Sequence, residues 1–175
     1  MKVFFLTFFS VIYFTATSQT DDFQNDIIDY LNVNGTFQKY DFEFEKILIN
    51  LNIKAAAKDT PNSFWVEIAK DKKVNVNELI KILSFAYRKY YTQEEICDLL
   101  EFYKTEAAQK MISGNKNLSS KEIKIIEKYR KSNLAMKANK TSLEFKKDST
   151  NISNQWIKEV FAKKLGALAK AGHTK

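Results

Sequence analysis

The chain has 175 residues with a formal net charge of +7, and it holds only four glycines, one proline and one cysteine. So few turn-forming residues exclude a β-sandwich or β-barrel, in which each strand connection needs a turn, and favour helices joined by short polar links. A single cysteine also excludes a disulfide within the chain. We therefore predict an all-α fold.

The N-terminus has the pattern of a cleavable signal peptide. Lys2 precedes an apolar run, Val3–Phe14, which has the length of a signal-peptide core and is shorter than the ~20 residues that a membrane-spanning helix needs. Ala16 and Ser18 place small side chains at the positions that signal peptidase requires. We predict a signal peptide over residues 1–18 and a periplasmic or secreted location. An uncleaved anchor and a buried first helix are the alternatives.

The remainder, residues 19–175, has the size of one domain. A chain of this length buries roughly two-thirds of its unfolded surface, which supports a single core. No stretch within it is apolar for long enough to cross a membrane. We predict a single-domain bundle of about six to eight helices.

Apolar residues at helical spacing predict the first two helices. The apolar residues of the first helix are Phe23, Ile27, Ile28 and Leu31. This helix stops before Gly35, and Thr36 can cap the second helix. The apolar stripe of the second helix consists of Phe37, Tyr40, Phe44, Ile47, Leu48, Leu51 and Ala55. Phe42, Ile49 and Ile53 lie off this stripe. Because a helix that is apolar on more than one face is expected to be central, we place the second helix inside the bundle.

Two further helices are predicted before the middle of the chain. Pro61 excludes its preceding residue from helical angles, so the second helix ends before it. The apolar residues of a short third helix are Phe64, Trp65 and Ile68. Asn75 or Asn77 begins a fourth helix. The apolar residues of the fourth helix are Leu79, Ile80, Leu83, Ala86, Tyr87 and Tyr90.

A degenerate internal repeat follows, with a shift of 27 residues. Thr92 and Glu95 have the spacing of a capping box, which predicts the start of a fifth helix. The matching residues are Thr92, Glu95, Ile96, Leu99, Phe102, Lys104, Thr105, Ala108 and Lys110 in the first copy and Ser119, Glu122, Ile123, Ile126, Tyr129, Lys131, Ser132, Ala135 and Lys137 in the second. Two copies are too few for a solenoid, so we predict that they pack together as paired helical hairpins.

The segment Tyr87–Met111 resembles the bacterial domain of unknown function 2059 family, whose pattern is roughly Y-x-x-x-F-T-x-E-E-L-x-x-L-x-x-F-Y-x-S-P-x-G-x-K. The matching residues are Tyr87, Tyr91, Thr92, Glu94, Glu95, Ile96, Leu99, Phe102, Tyr103, Thr105 and Lys110. Glu106 and Ala108 replace the proline and glycine of the pattern, so we expect an ordinary helix junction there. With the repeat, the family-like segment covers residues 87–137.

The resemblance implies an exported helical domain, and it transfers no catalytic residue because the family has no established activity. The shared residues are those of a structural motif made of helix caps and core side chains. The residues that we assign to this motif are Tyr87, Tyr91, Thr92, Glu95, Phe102, Tyr103 and Lys110.

Charge is distributed unevenly along the chain after the predicted signal peptide. Residues 19–103 hold 10 basic and 15 acidic side chains, whereas residues 104–175 hold 17 basic and 6 acidic ones. The positive field of the second segment attracts anionic surfaces, and added salt weakens that attraction.

The last predicted helix is amphipathic and basic. Its apolar residues are Trp156, Ile157, Val160, Phe161, Leu165 and Leu168. Lys164 interrupts this apolar face. We interpret Lys158, Lys163 and Lys170 as possible contacts with an anionic lipid or glycan surface. The alternative is that the helix closes the core of its own bundle and points its lysines at water.

The sequence lacks the residues that most catalytic chemistries need. His173 is the only histidine and lies near the C-terminal end, where we expect fraying, so a His-based nucleophile or metal cluster has no components. Cys97 lies among apolar residues and is interpreted as a small buried hydrophobe. Glu94 and Glu95 point about 100° apart on a helix, and the helix dipole accounts for their place in its first turn. We predict a protein that is not an enzyme and has no cofactor or metal.

These observations favour an interaction or envelope-associated module that binds an unknown protein partner. Binding of anionic lipid or glycan through the basic C-terminal half is the first alternative, and hydrolysis of an envelope polymer by paired carboxylates is the second. Nucleic acid is not expected, because the aromatic residues lie at core spacing and the only arginines are Arg88 and Arg130.

Overall fold

The all-α class is confirmed by a computed structural model that describes residues 22–54, 60–140 and 142–173, in which helices are present and strands are absent. The helices are α1 (22–33), α2 (Thr36–Lys54), α3 (Asn62–Ala69), α4 (Lys72–Tyr90), α5 (Gln93–Tyr103), α6 (Glu106–Ile112), α7 (Ser120–Arg130), α8 (Asn133–Lys140) and α9 (Ser142–Lys170). The predicted signal peptide and Ala55 of the second helix lie outside the described residues.

Helices α2, α4 and α9 form a three-helix core, in which each helix packs against the other two. Their fully or almost fully buried side chains include Phe44, Leu51, Val76, Leu79, Leu83, Trp156, Val160 and Leu168. The indole nitrogen of Trp156 donates a hydrogen bond to the carbonyl oxygen of Asn75 over 3.1 Å, so the polar end of this large side chain is satisfied inside the core.

Helix α1 connects this core to the helices that follow α4. The buried Tyr30 ring lies edge-on to Tyr87 and to Tyr103, with ring centroids 5.7 and 5.5 Å apart. At the end of α1, Gly35 has a φ of +89°, and a Cβ atom there would lie 3.0 Å from the Ile112 side chain. Both the turn into α2 and its close contact with α6 therefore depend on a residue without a side chain.

Helix α2 lies in the core, as predicted, but the expectation that it is buried on more than one face is wrong. Tyr40, Phe44, Ile47 and Leu51 are buried as the stripe predicts, but Phe42, Ile49 and Ile53 are 56, 57 and 73% exposed. These three residues recur at the spacing of one helix face, so α2 carries an apolar face that points away from the core. The number of apolar residues in a helix therefore does not show how many of its faces are buried.

Two predicted helix starts are also wrong. Thr36 is the first residue of α2 rather than its cap, and its N–H donates to Oδ1 of Asn34 over 3.0 Å. Helix α4 begins at Lys72, so Asn75 lies inside the helix, where its side-chain amide donates to the Asp71 carbonyl oxygen over 2.8 Å. Asparagine bonds to nearby backbone in both settings, which is why its presence alone does not mark a helix start.

Lys164, predicted to interrupt the apolar face of α9, is buried and only 4% exposed. Its ammonium group donates to the carbonyl oxygen of Ile68 and to the carboxylate of Asp71, at the corner between α3 and α4. Leu165, predicted to belong to the apolar face, is instead 38% exposed. Burial opposes ionisation of Asp71, but hydrogen bonds from Lys164, Asn75 and Lys163 outweigh it and hold the pKa of Asp71 below its usual value.

Two further interpretations of single residues are corrected by the structure. Cys97 is exposed rather than buried, and its sulfur lies 3.7 Å from a carboxylate oxygen of Asp26. His173 is held in place where fraying was expected. The backbone N–H of His173 donates to the Leu168 carbonyl oxygen over 3.0 Å. Its imidazole ring packs edge-on against the Phe64 ring, with centroids 4.9 Å apart.

None of the described helices is both long enough and apolar enough to cross a lipid bilayer.

Candidate functional site

The two copies of the repeat form two helical hairpins, α5–α6 and α7–α8, whose first helices both have 11 residues. Each first helix begins with a complete capping box. Thr92 Oγ1 accepts from the Glu95 N–H while the Glu95 carboxylate accepts from the Thr92 N–H. Ser119 and Glu122 repeat this arrangement at the start of α7. The matched polar residues of the repeat therefore have matched structural roles.

The second helices of the hairpins start in the same way as each other. Thr105 Oγ1 accepts from the Ala108 N–H over 3.2 Å, and Ser132 Oγ accepts from the Ala135 N–H over 3.1 Å. Thr105 and Ser132 each lie between the two helices of a hairpin, and their hydroxyl groups cap the second helix. Each hairpin therefore forms its turn without the proline and glycine of the family pattern.

Two ion pairs connect the hairpins reciprocally. Lys110, in α6, donates to Glu122 of the second capping box over 2.6 Å. Lys137, in α8, donates to Glu95 of the first capping box, also over 2.6 Å. The lysine of each copy thus pairs with the glutamate of the other copy, which is the contact pattern across a two-fold axis.

An aromatic stack lies where such an axis must pass. Phe102 and Tyr129 occupy equivalent positions in the two copies, and their rings are parallel within 8° with centroids 3.7 Å apart. A residue that contacts its own equivalent lies on the symmetry axis. The two hairpins are therefore arranged with approximate two-fold symmetry within one chain.

A cleft of about 760 Å³ opens on this axis between α5 and α7. It is lined by Asp98, Glu101, Phe102, Thr105, Ile125, Lys128, Tyr129, Ser132 and Leu134. The aromatic stack is half-buried, so part of it is accessible to an occupant. One wall carries two carboxylates from α5, and the other carries the ammonium group of Lys128 from α7. An apolar surface with charges of both signs at its edges is typical of a site that binds a partner.

The ion pair at the second capping box makes stability depend on pH. The hydrogen bond from Lys110, helped by those at Ser119, lowers the pKa of Glu122 from 4.5 to about 2. A lowered pKa means that the ionised carboxylate stabilises the fold above pH 4.5 and that this contribution is lost as the pH falls towards 2.

We therefore expect Glu122→Gln to destabilise the protein at pH 7 and the difference from the native chain to shrink as the pH falls from 4.5 to 2. Glutamine keeps the capping-box geometry and removes only the charge. Urea unfolding at a series of pH values measures the difference, and Glu127→Gln, an exposed carboxylate on the same helix, is the matched control. A difference that stays constant with pH would contradict the assignment.

The predicted motif residues lie around the hairpins in structural positions. Tyr91 is buried beneath Lys137, whose ammonium lies 5.3 Å from the ring centroid. Tyr87 contacts Tyr91 and Tyr30, and burial together with the neighbouring Tyr91 raises its pKa well above the usual value. Tyr103 lies between Tyr30 and Tyr129, with centroids 5.5 and 5.9 Å away. Of the seven motif residues, only Phe102 lines the cleft.

The three lysines interpreted as anionic contacts do not lie together. Lys158, Lys163 and Lys170 are all exposed on α9. At 3.6 residues per turn, the last two share a face, whereas the first lies about 140° around the helix from Lys163. The ammonium of Lys163 also lies 3.3 Å from the Asp71 carboxylate. Contact of these lysines with an anionic surface stays a prediction.

The cleft carboxylates and Lys128 were not singled out by the sequence analysis. Their signal lies in the positions where the repeat copies disagree, since Asp98 is replaced by Ile125 and Glu101 by Lys128 after a shift of 27 residues. The positions that match between the two copies are those that both hairpins need in order to fold. The exposed positions that do not match are those where the surfaces of the two hairpins differ. Within the described residues, no cluster of three or more histidine, cysteine, aspartate or glutamate side chains is placed to hold a metal ion.

The fold and the cleft define an all-α protein built on a duplicated, capped hairpin. Residues 77–135 match the model of a family described as uncharacterised protein conserved in bacteria, DUF2059. This confirms the resemblance over the segment that contains both capping boxes and the aromatic stack. Comparisons with curated proteins and with solved structures found no match.

Proposed function

We propose that this protein is an exported, non-catalytic interaction module of the bacterial envelope that binds its partner at the cleft between α5 and α7. The observation that carries the proposal is the accessible aromatic stack of Phe102 and Tyr129 at the centre of a charged cleft. Aromatic side chains in a partly enclosed site, surrounded by polar groups, are the usual centre of a protein interface.

Export is supported by the basic residue, apolar run and small residues of the N-terminal segment, which together resemble a signal peptide. N-terminal sequencing of the protein isolated from its native bacterium tests this part. We expect the chain to begin at Gln19, and a chain that still begins at Met1 would contradict export by cleavage.

The absence of catalysis is supported by the placement of the cleft carboxylates. Asp98 and Glu101 lie one turn apart on the same helix, and both are exposed. A glycosidase instead needs two carboxylates on opposite sides of the bond that it cleaves. The opposite wall here carries Lys128, which suits charge pairing with a partner better than bond cleavage.

Site-specific photo-crosslinking in the living bacterium tests the interaction. A photoreactive residue in place of Ile125 lines the cleft, and one in place of Lys158 on exposed α9 is the matched control. We expect a discrete crosslinked species from the first position and none from the second. The Phe102→Ala and Tyr129→Ala changes should each abolish it. Absence of any species at Ile125 would contradict the proposal.

Binding to an anionic surface is the second candidate, favoured by the exposed lysines on α7. Co-sedimentation with anionic vesicles should then fall with salt and in a Lys121→Glu/Lys124→Glu variant. Equal partitioning onto neutral vesicles would exclude it.

A further inference from the structure

The outward faces of α5 and α7 carry opposite charges at equivalent positions. On α5 the exposed face holds Glu94, Asp98 and Glu101. A shift of 27 residues gives the equivalent positions on α7, which hold Lys121, Ile125 and Lys128. The spacing of four and then three residues places each set along one side of its helix. An acidic helix and a largely basic helix therefore lie on either side of the cleft.

The charges that flank the cleft have no ion-pair partner within the described chain. The ion pairs found among the described residues do not include Asp98, Glu101 or Lys128. By contrast, the lysines and glutamates that join the hairpins are paired across the axis. The exposed charges next to the cleft are therefore available to pair with charges on another molecule.

A second copy of this chain carries charges of the matching sign in the same arrangement. When a second copy is turned by 180° about a line that runs along the cleft, its α5 lies over the first copy's α7 and its α7 over the first copy's α5. Glu101 of each copy then faces Lys128 of the other across the mouths of the two clefts. The same charge pair forms twice, as a closed two-fold contact requires.

We propose that the cleft binds a second copy of this chain, forming a two-fold dimer through reciprocal α5–α7 contacts. The inference rests on the proposed function, because it names the partner of the same cleft. Each of the two helices is only about 16 Å long, so the contact area is below that of a standard interface and the dimer is weak. Its affinity depends on salt, because the charges are at the edge of the contact.

Sedimentation velocity of the mature chain tests the dimer over protein concentrations from about 1 μM to about 1 mM. We expect the dimer to form within this range and to weaken as ionic strength rises from about 0.1 to about 1 M, which shortens the Debye length from ~10 to ~3 Å. Glu101→Lys and Lys128→Glu each place like charges opposite one another twice, so each should weaken the dimer by about tenfold or more.

The double variant E101K/K128E distinguishes self-recognition from a general loss of solubility or fold. It exchanges the two charges and so restores both pairs, and we expect its dimer affinity to return to within about threefold of the native value. Lys158→Glu changes net charge equally but lies outside the cleft, and it should leave the dimer unchanged. Circular dichroism checks that every variant is folded.

A native chain that stays monomeric throughout, or a double variant no better than the single ones, would overturn the dimer. The crosslink at Ile125 separates this failure from failure of the proposed function. A monomer that still crosslinks through the cleft to another protein overturns only self-association. A monomer with no crosslink at all overturns both.

Discussion

Phe44→Ala is expected to lower the free energy of unfolding by about 3–5 kcal/mol, the usual cost of removing a fully buried phenylalanine ring. The Phe44 side chain has no exposed surface and lies in α2 within the three-helix core. Its ring is also 5.4 Å from the ammonium group of Lys164, so the change affects the setting of that buried cation as well. Urea unfolding followed by circular dichroism measures the loss.

Phe42→Ala is the matched control, because it removes the same ring from the same helix two residues earlier. Phe42 is 56% exposed and lies 4.7 Å from the Lys46 ammonium group. We expect a cost of about 1 kcal/mol or less from the loss of this exposed cation–π contact. Similar costs at the two positions would contradict the orientation of α2.

Asp71→Ala is expected to cost about 3 kcal/mol, because it leaves the ammonium group of Lys164 buried without its counter-ion. The hydrogen bond from Lys164 to the Ile68 carbonyl oxygen remains, which keeps the cost at the lower end for a buried charge. The reverse change, Lys164→Met, should cost less, about 1–2 kcal/mol. Methionine fills similar space and Asp71 remains partly exposed beside Lys163, so the main loss is the donor to the Ile68 carbonyl oxygen.

The measurement is again the free energy of unfolding at pH 7, with Asp148→Ala as the control for an exposed ion pair. Lys89 and Asp148 are both more than a third exposed, so water screens their pair and Asp148→Ala should cost much less than Asp71→Ala. If Lys164→Met lowered the free energy of unfolding as much as Asp71→Ala, the prediction that the two partners of the buried ion pair differ in cost would be wrong.

The local elements could be predicted from the sequence because spacing and capping act within one helix. The stripe of α2 and the capping box of α5 are both local patterns of this kind. The burial of Lys164 could not be predicted, because it depends on a carboxylate 93 residues away at the α3–α4 corner. From the sequence alone, a lysine on an amphipathic helix is expected to be exposed to water. Only the packed structure shows a partner that allows it to be buried.

The candidate site could likewise be predicted only in part from the sequence. The repeat predicts two hairpins, since its matched residues are caps and core positions that each copy needs for itself. It does not predict that Lys110 and Lys137 exchange partners, because pairing within a copy and pairing between copies use the same residues. The repeat marks Asp98, Glu101 and Lys128 only as positions where the two copies differ, and the cleft that they line is recognised once the hairpins are seen together.

The position of α9 in the chain has a consequence for biosynthesis. This helix supplies one wall of the core, and its residue Leu168 is fully buried. Ribosomes make α2 and α4 before α9, so Phe44 and Leu79 stay partly uncovered until α9 has been synthesised. The three-helix core therefore cannot form during translation before α9 emerges from the ribosome.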